Sequence, residues 1–456
     1  MTITSPCTTT PLLSSKLLPD NPFPKPPPGF FDAGSVFCCS TLLFTASVGS
    51  GVLALPSAAK QAGLGLGILF LVCAGLISAT SNWILSNAVT VSGQRTYGSV
   101  LAWAISYIKT GGTRQGFPLQ RLHAFDAFMV LNQAASIVTY LIFLGDFLPS
   151  VFLTWTGIPV NRTLVLVIIS YVVVLPFSIS SEISSLRAVG SFSMWVMFAT
   201  AILAVCKTPW GALGGQHHLE TNSAALEGVT WQHAMQALSL GTFAFMNQVN
   251  AVCITAELHK PTPARQGIVC ISSSACLFLC YATLMACVYL TFGQATTSNF
   301  LQNYPVDDSA VNACRVAVSL MLIFACPLNL FPVTSSFFHA IERCDLESNP
   351  RVRSAFNLVV LTVCLVAAIW VPDVGSFIGF VSAYMSTPLM MTLPAFIYIV
   401  CCRVEDATLS KEQIPISASK ALLRRSCRLA IPAILLAVSV LLWTAATVNL
   451  FGGKKS

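Results

Sequence analysis

Ser47-Val48-Gly49-Ser50-Gly51-Val52-Leu53-Ala54-Leu55-Pro56 interrupts the first strongly apolar stretch of the chain, residues 36–57. Two glycines around a serine, with a proline just beyond, are poor helix formers in the middle of a hydrophobic run. Inside a bilayer every backbone polar group needs an internal partner. Non-helical backbone survives there only beside protein or a water-filled cavity. Interrupted helices of this kind mark the substrate site of membrane carriers. The stretch predicts a helix broken at 47–51 that lines such a cavity.

The surrounding composition agrees. Of 456 residues, 55% are hydrophobic and 9% charged, a balance outside the range of soluble globular domains. Eleven segments are apolar and long enough for a hydrocarbon core of roughly 30 Å. They run near 36–57, 65–91, 124–148, 164–179, 188–206, 232–254, 267–292, 309–333, 355–371, 375–400 and 429–448. The fold class is an all-α integral membrane protein with eleven transmembrane helices in one domain, 35–456. Residues 1–34 differ in kind. Eight of the 25 prolines fall within the first 28 residues, which predicts a disordered tail. No apolar core of a cleaved signal peptide precedes Ser35.

Loop cations set the orientation. With the tail in the cytoplasm, 18 of the 24 Lys and Arg fall in inner segments and 5 in outer ones. The net charge of +7 belongs to this bias and requires no nucleic-acid partner. The sequon Asn161-Arg162-Thr163 then lies outside, which makes Asn161 the candidate glycosylation site. The 17 cysteines lie mostly within spans, where cysteine acts as a small apolar residue. Cys206 and Cys314 sit near outer span ends and are the one pair placed to meet. No Cys/His cluster has metal-site spacing, and His217-His218 reads as a solvated loop pair. All six histidines fall in loops or at span ends, which argues against a membrane-embedded enzyme. No cofactor is implied.

A second interruption gives the chain internal symmetry. Gly241-Thr242-Phe243-Ala244-Phe245-Met246-Asn247-Gln248 puts a glycine, two amides and two aromatics into segment six, five spans after the first break. Five spans plus five, each half opening with an interrupted helix, resembles the LeuT-type inverted repeat. The halves are about 35–206 and 231–400, and 429–448 is an appended helix. The alternative is that Gly49 and Gly51 merely permit tight helix packing.

Further motifs extend the resemblance. They are Gly49-Ser50-Gly51-Val52-Leu53-Ala54-Leu55-Pro56 with Ala62-Gly63, then Tyr140-Leu141-Ile142-Phe143-Leu144-Gly145-Asp146-Phe147-Leu148-Pro149. Next come Leu175-Pro176-Phe177-Ser178 with Ser185-Leu186-Arg187, and Phe243-Ala244-Phe245 with Glu257-Leu258. The last is Arg315 with Pro327-Leu328 and Phe331-Pro332. In this order the chain resembles the amino acid/auxin permease family across nearly its whole membrane domain. The resemblance implies an amino acid carrier working by alternating access in the lipid bilayer. The expected membrane is the plasma membrane, with a lysosomal or vacuolar membrane as the alternative. A nutrient-sensing receptor on the same scaffold is the alternative class.

Unwound backbone supplies the chemistry for a zwitterion. Free N–H groups and a half-helix N-terminus suit a carboxylate, which assigns Val48, Gly49, Ser50 and Gly51. Carbonyls freed on segment six suit an ammonium, which assigns Thr242, Phe243, Ala244 and Phe245. Phe243 and Phe245 either cap the pocket or pack in the core. Asn132 and Gln133 lie deep in segment three, and either lines the cavity or bonds another helix. Arg315, about two turns into segment eight, needs an acidic or carbonyl partner. Asp146 lies near the same face, so the two are read as an outer-gate pair, with snorkelling of Arg315 as the alternative. Asp126 and Glu257 read as solvated span ends.

Sodium-using members of the family carry an Asn on the first helix and a hydroxyl on the eighth. Here the matching positions are Thr45, Ile323 and Ala325. The resemblance therefore favours protons as the coupling ion, or exchange, over sodium. No acidic side chain falls near mid-membrane, which favours neutral over basic amino acids.

Overall fold

The computed structural model describes residues 29, 32, 34–110, 122–179, 186–210, 230–347, 349–371, 373–412 and 418–452. These residues are helical throughout, with no strand among them. In chain order the helices begin with α1 (Val36–Ser47), α2 (Gly51–Ala62), α3 (Leu64–Ser92), α4 (Tyr97–Lys109), α5 (His123–Thr156), α6 (Arg162–Ile168), α7 (Leu175–Ile179) and α8 (Leu186–Lys207). They continue with α9 (Trp231–Ala244), α10 (Gln248–Ala256), α11 (Pro263–Phe292), α12 (Ser309–Ala340), α13 (Cys344–Glu347), α14 (Pro350–Trp370), α15 (Val374–Val381), α16 (Leu393–Glu412) and α17 (Ala418–Gly452). Eight helical stretches are long and apolar enough to cross a membrane, or nine if the bent pair α1 and α2 is one span. Two shorter apolar stretches, Arg162–Ser178 and Phe192–Lys207, accompany them. Every apolar segment marked in the sequence falls on one of these. Nearly all of the proline-rich tail lies outside the described residues, as do His217 and His218.

Local sequence explains the irregular places. Gly63 turns the chain from α2 to α3 at φ 78, a left-handed conformation that glycine adopts without strain. Pro176 and Pro388 bring no N–H to the helix ladder, and π-helical turns adjoin both, at Ile169–Val174, Ser382–Ser386 and Pro388–Thr392. The first of these lies in segment four and the other two in segment ten.

One helix departs from expectation. Residues 92–122 read as an inner loop, yet α4 forms there. Thr96 Oγ1 accepts from Ser99 N while Ser99 Oγ accepts from Thr96 N, a reciprocal cap. The helix buries Tyr97, Val100, Leu101 and Ala104, and Tyr97 Oη donates to Leu389 O at 2.7 Å. Thirteen residues are too few to cross a membrane.

Packing places the first broken helix at the centre. α9 packs against α2, α11 against both α1 and α2, and α3 against α9, α10 and α11. Leu53, Ala54, Leu55 and Ala59 are fully buried in this contact. α5 lies along α12 on the other flank. The last helix, read as an appendage, packs along α9 and α16 and is built into the bundle.

Candidate functional site

The break in the first span falls where the sequence put it. α1 ends at Ser47, α2 starts at Gly51, and their axes differ by 66°. Val48 is extended (φ −73, ψ 106) and its N–H reaches back to Thr45 O at 3.2 Å. The first amide of the new helix to find a carbonyl is Leu53 N–H, on Ser50 O at 3.2 Å. The N–H groups of Gly49, Ser50, Gly51 and Val52 have no hydrogen-bond partner among the described residues. Four adjacent amides at a helix start, with the helix dipole behind them, make an environment for an anion.

The two glycines of this break do different things. A Cβ on Gly49 would lie 3.3 Å from Tyr140 Oη, on α5. A Cβ on Gly51 would lie 2.8 Å from Ala244 Cα and 3.0 Å from Phe243 Cδ1. Gly49 thus faces a hydroxyl, whereas Gly51 seats α2 directly on α9. The sequence assigned both glycines to one pocket. The backbone of α9 fills the space beside Gly51, so its hydrogen serves close helix approach. Val48 and Ser50 are buried beside them.

The second break is shorter than expected. Thr242, Phe243 and Ala244 stay helical, and only Phe245, Met246 and Asn247 leave the helix. Gln248 Oε1 takes the Asn247 N–H at 3.1 Å, and Met246 N–H bonds Phe243 O at 3.2 Å. The halves form one 26-residue span bent by no more than 40°. Two of their carbonyls face side-chain hydroxyls. Ser78 Oγ donates to Phe245 O at 3.0 Å, and Tyr281 Oη is 3.2 Å from Ala244 O. Thr242 Oγ1 meets Ser239 O and Ser382 Oγ, on the π-helical turn after α15. Phe245 is fully buried edge-on to Tyr281, ring centres 5.2 Å apart, the arrangement that the core-packing alternative describes.

A buried polar network ties the breaks together. Asn247 Nδ2 donates to Leu43 O at 3.1 Å, on α1, and Asn247 Oδ1 accepts from Asn82 Nδ2 at 2.8 Å, on α3. Gln248 Nε2 donates to Ser78 Oγ at 3.3 Å. Tyr281 Oη also lies 3.2 Å from Ser47 O, so one hydroxyl faces a carbonyl of each break. Ser78, Asn82, Tyr281 and the Tyr140–Asn329 pair, 3.4 Å apart, were missed in the sequence. The signal for α3 was available. Ser78, Asn82 and Ser86 recur every four residues in an apolar span, a polar stripe on one helix face.

The remaining sequence candidates divide. Asn132 is fully buried, its Nδ2 bonding Gln133 Oε1 at 3.2 Å, and its Oδ1 has no partner among the described residues. It lies two residue quartets before Tyr140 on the same face of α5, ~12 Å along the axis. Thr45 Oγ1 donates to Leu42 O within its own helix at 3.0 Å. Asp146 and Arg315 do not form the expected gate pair. Asp146 faces Arg162 Nη2 at 3.7 Å and accepts from Asn299 Nδ2 at 3.1 Å. Gly145 leaves the room for that arginine, since a Cβ there would lie 3.0 Å from Arg162 Nε. Arg315 is buried and donates to Leu301 O and Tyr304 O, both at 2.8 Å, and to Asn312 Oδ1 at 2.6 Å. Loop carbonyls satisfy the guanidinium, so it neither snorkels nor needs an acid.

These contacts hold residues 293–308 across one end of the bundle. Phe300 and Leu301 are buried, and their turn packs on α2 and α5. Lys207 bonds Asp308 at the start of α12 and holds its carboxyl below the ordinary carboxylate range. The described cysteines are unbridged. Cys206 is exposed, and Cys314 lies 3.3 Å from Thr200 Oγ1. Asn161 is exposed and caps α6, accepting Thr163 N–H at 2.8 Å.

The model of the family described as transmembrane amino acid transporter protein matches residues 32–425. The chain belongs to this family. A Toxoplasma gondii protein provisionally named amino acid transporter AAT1 is 26% identical over 68% of this chain, and the match spans 43% of that protein's own length. A Bos taurus protein provisionally named sodium-coupled neutral amino acid transporter 11 is 26% identical over 77% of this chain and 73% of its own. Sodium-coupled neutral amino acid transporter 7 of Danio rerio is 23% identical over 77% of this chain and 75% of its own. The matched family region contains both breaks and every member of the polar network.

Proposed function

We propose that the chain is a secondary carrier of neutral amino acids, built as a five-plus-five inverted repeat with an eleventh helix and working by alternating access. The observation that carries this reading is the row of four unpartnered amides at Gly49, Ser50, Gly51 and Val52. A carboxylate bonded there would satisfy them without a charged side chain. Tyr140 beside Gly49 is a hydroxyl positioned to join it. The ammonium would lie toward the second break, where Phe245, Met246 and Asn247 leave the helix. Asn132, with its unpartnered oxygen, extends the candidate cavity along α5. Around both breaks the buried polar groups are hydroxyls and amides, and none is acidic, which supports neutral substrates. Asn161 is the proposed glycosylation site on the outer face, with the N-terminus cytoplasmic.

For coupling, we favour protons or exchange. Ile323 and Ala325 bring no side-chain oxygen to α12. Sodium coupling is the competing reading, favoured by the names of two relatives. Uptake of a labelled amino-acid panel decides among them. Neutral amino acids are expected to enter equally in sodium and in choline, and faster at acidic outer pH. Their carboxyl esters are expected to compete poorly. A steep sodium requirement refutes the coupling reading, selective arginine or lysine uptake refutes the substrate reading, and equal competition by esters refutes the carboxylate assignment.

A further inference from the structure

Tyr281 is fully buried on α11, and its hydroxyl lies 3.2 Å from Ser47 O and 3.2 Å from Ala244 O. Those carbonyls belong to the last helical residue before each break. A helix C-terminus carries partial negative charge, and here two such ends converge on one point. In carriers built from discontinuous helices, unwound carbonyls and half-helix C-termini are what hold a coupling cation. Converging carbonyl oxygens replace an ion's hydration shell. In this chain a neutral O–H stands at the convergence.

A phenol has one proton to donate, so it can satisfy only one of the two carbonyls at a time. The other keeps its negative potential toward the same point. The ring is fixed by edge-on contact with Phe245, so the oxygen is held between the breaks. No acidic side chain is bonded to the hydroxyl, so nothing else competes for its proton. Asn247 and Asn82 link the same helices by a separate route, which keeps the breaks together when Tyr281 is altered.

From this geometry we infer that the Tyr281 hydroxyl occupies a latent cation site between the two helix breaks, standing in for a small monovalent cation. The inference rests on the carrier reading and deepens its coupling argument. It makes Tyr281 a positioning residue that joins Ser47 to Ala244 without sodium. Removing the phenol would leave the two carbonyl oxygens and the emptied volume to a hydrated cation.

Two variants test it in the full-length protein. Tyr281→Phe keeps the ring and removes only the donor. It is expected to reach the membrane in normal amount and to lose roughly tenfold in uptake, in sodium and choline alike. Tyr281→Ser empties the ring's volume and leaves the two carbonyl oxygens open to a hydrated cation. Purified in detergent, it is expected to melt at least ~2 °C higher in sodium chloride than in choline chloride of equal strength, beyond any such difference in the unaltered protein. Wild-type uptake by Tyr281→Phe overturns the inference, as does absence of an added sodium shift in Tyr281→Ser. If Tyr281→Ser does not fold, Tyr281→Phe decides alone. Failure of the unaltered protein to take up any amino acid defeats the carrier reading instead. The melting comparison is independent of transport and still decides the cation site.

Discussion

At the scale of single residues, Gly49 and Gly51 separate by what surrounds them. An added methyl at 49 meets the far end of one side chain, Tyr140 Oη at 3.3 Å, which can shift. At 51 it meets backbone, Ala244 Cα at 2.8 Å, which cannot move without displacing α9. Overpacking of that kind costs about 1–3 kcal/mol. Gly51→Ala is therefore expected to lower the melting temperature and surface abundance. Gly49→Ala is expected to keep both and to raise the substrate KM several-fold, because its methyl enters beside the unpartnered amides. Surface labelling with uptake kinetics separates the two. Equal losses of abundance would show that Gly49 also serves packing. The sequence made the break legible, since glycine and proline advertise it locally. It could not separate the two glycines, because their difference lies in partners 91 and more residues away.

At the scale of elements, polar anchors hold the loop after α11 in place. Asn299 bonds Asp146, Ser298 bonds Asp373, and Arg315 donates to Leu301 O and Tyr304 O. Replacing Arg315 by Met leaves two buried carbonyls without donors, at about 1–3 kcal/mol each. Arg315→Met is expected to lower the melting temperature and speed hydrogen exchange across 296–305. Asp146→Asn keeps an acceptor for Asn299 and loses only a partly exposed ion pair, worth about 0–1 kcal/mol. Its effect is expected to be the smaller. Unchanged exchange in Arg315→Met would mean that Phe300 and Leu301 hold the loop by burial alone. The helices themselves were readable, because apolar runs in a chain this hydrophobic have one stable form. Pairings across the loop were not. Arg315 and Asp146 look complementary as isolated charges, yet Arg162 and the loop carbonyls lie nearer. α4 was hidden for a related reason, since its burial depends on Leu389, far along the chain.

For the whole molecule, charge, helix number and helix packing bear on one question, which side each end occupies. The eleven-span proposal is odd-numbered and places Met1 and Ser456 on opposite faces. Its weak point is the last helix, because Lys454 and Lys455 then lie outside, against the positive-inside tendency. The segment before it answers that objection. Residues 401–428 carry six Lys and Arg, and Arg428 bonds Asp406, so the two helices meet at the end where this charge collects. Moving that cluster outward would cost more than leaving two lysines there. α17 also packs against α9, the first half of the second broken span, and against α16. Accessibility tags at 415, at 220 and after Ser456 test the arrangement. Protection at 415 from the outside with exposure at 220 and after Ser456 is the expected pattern. If the tag after Ser456 is cytoplasmic, α17 does not cross, and the bundle is a ten-span repeat with a helix folded against it.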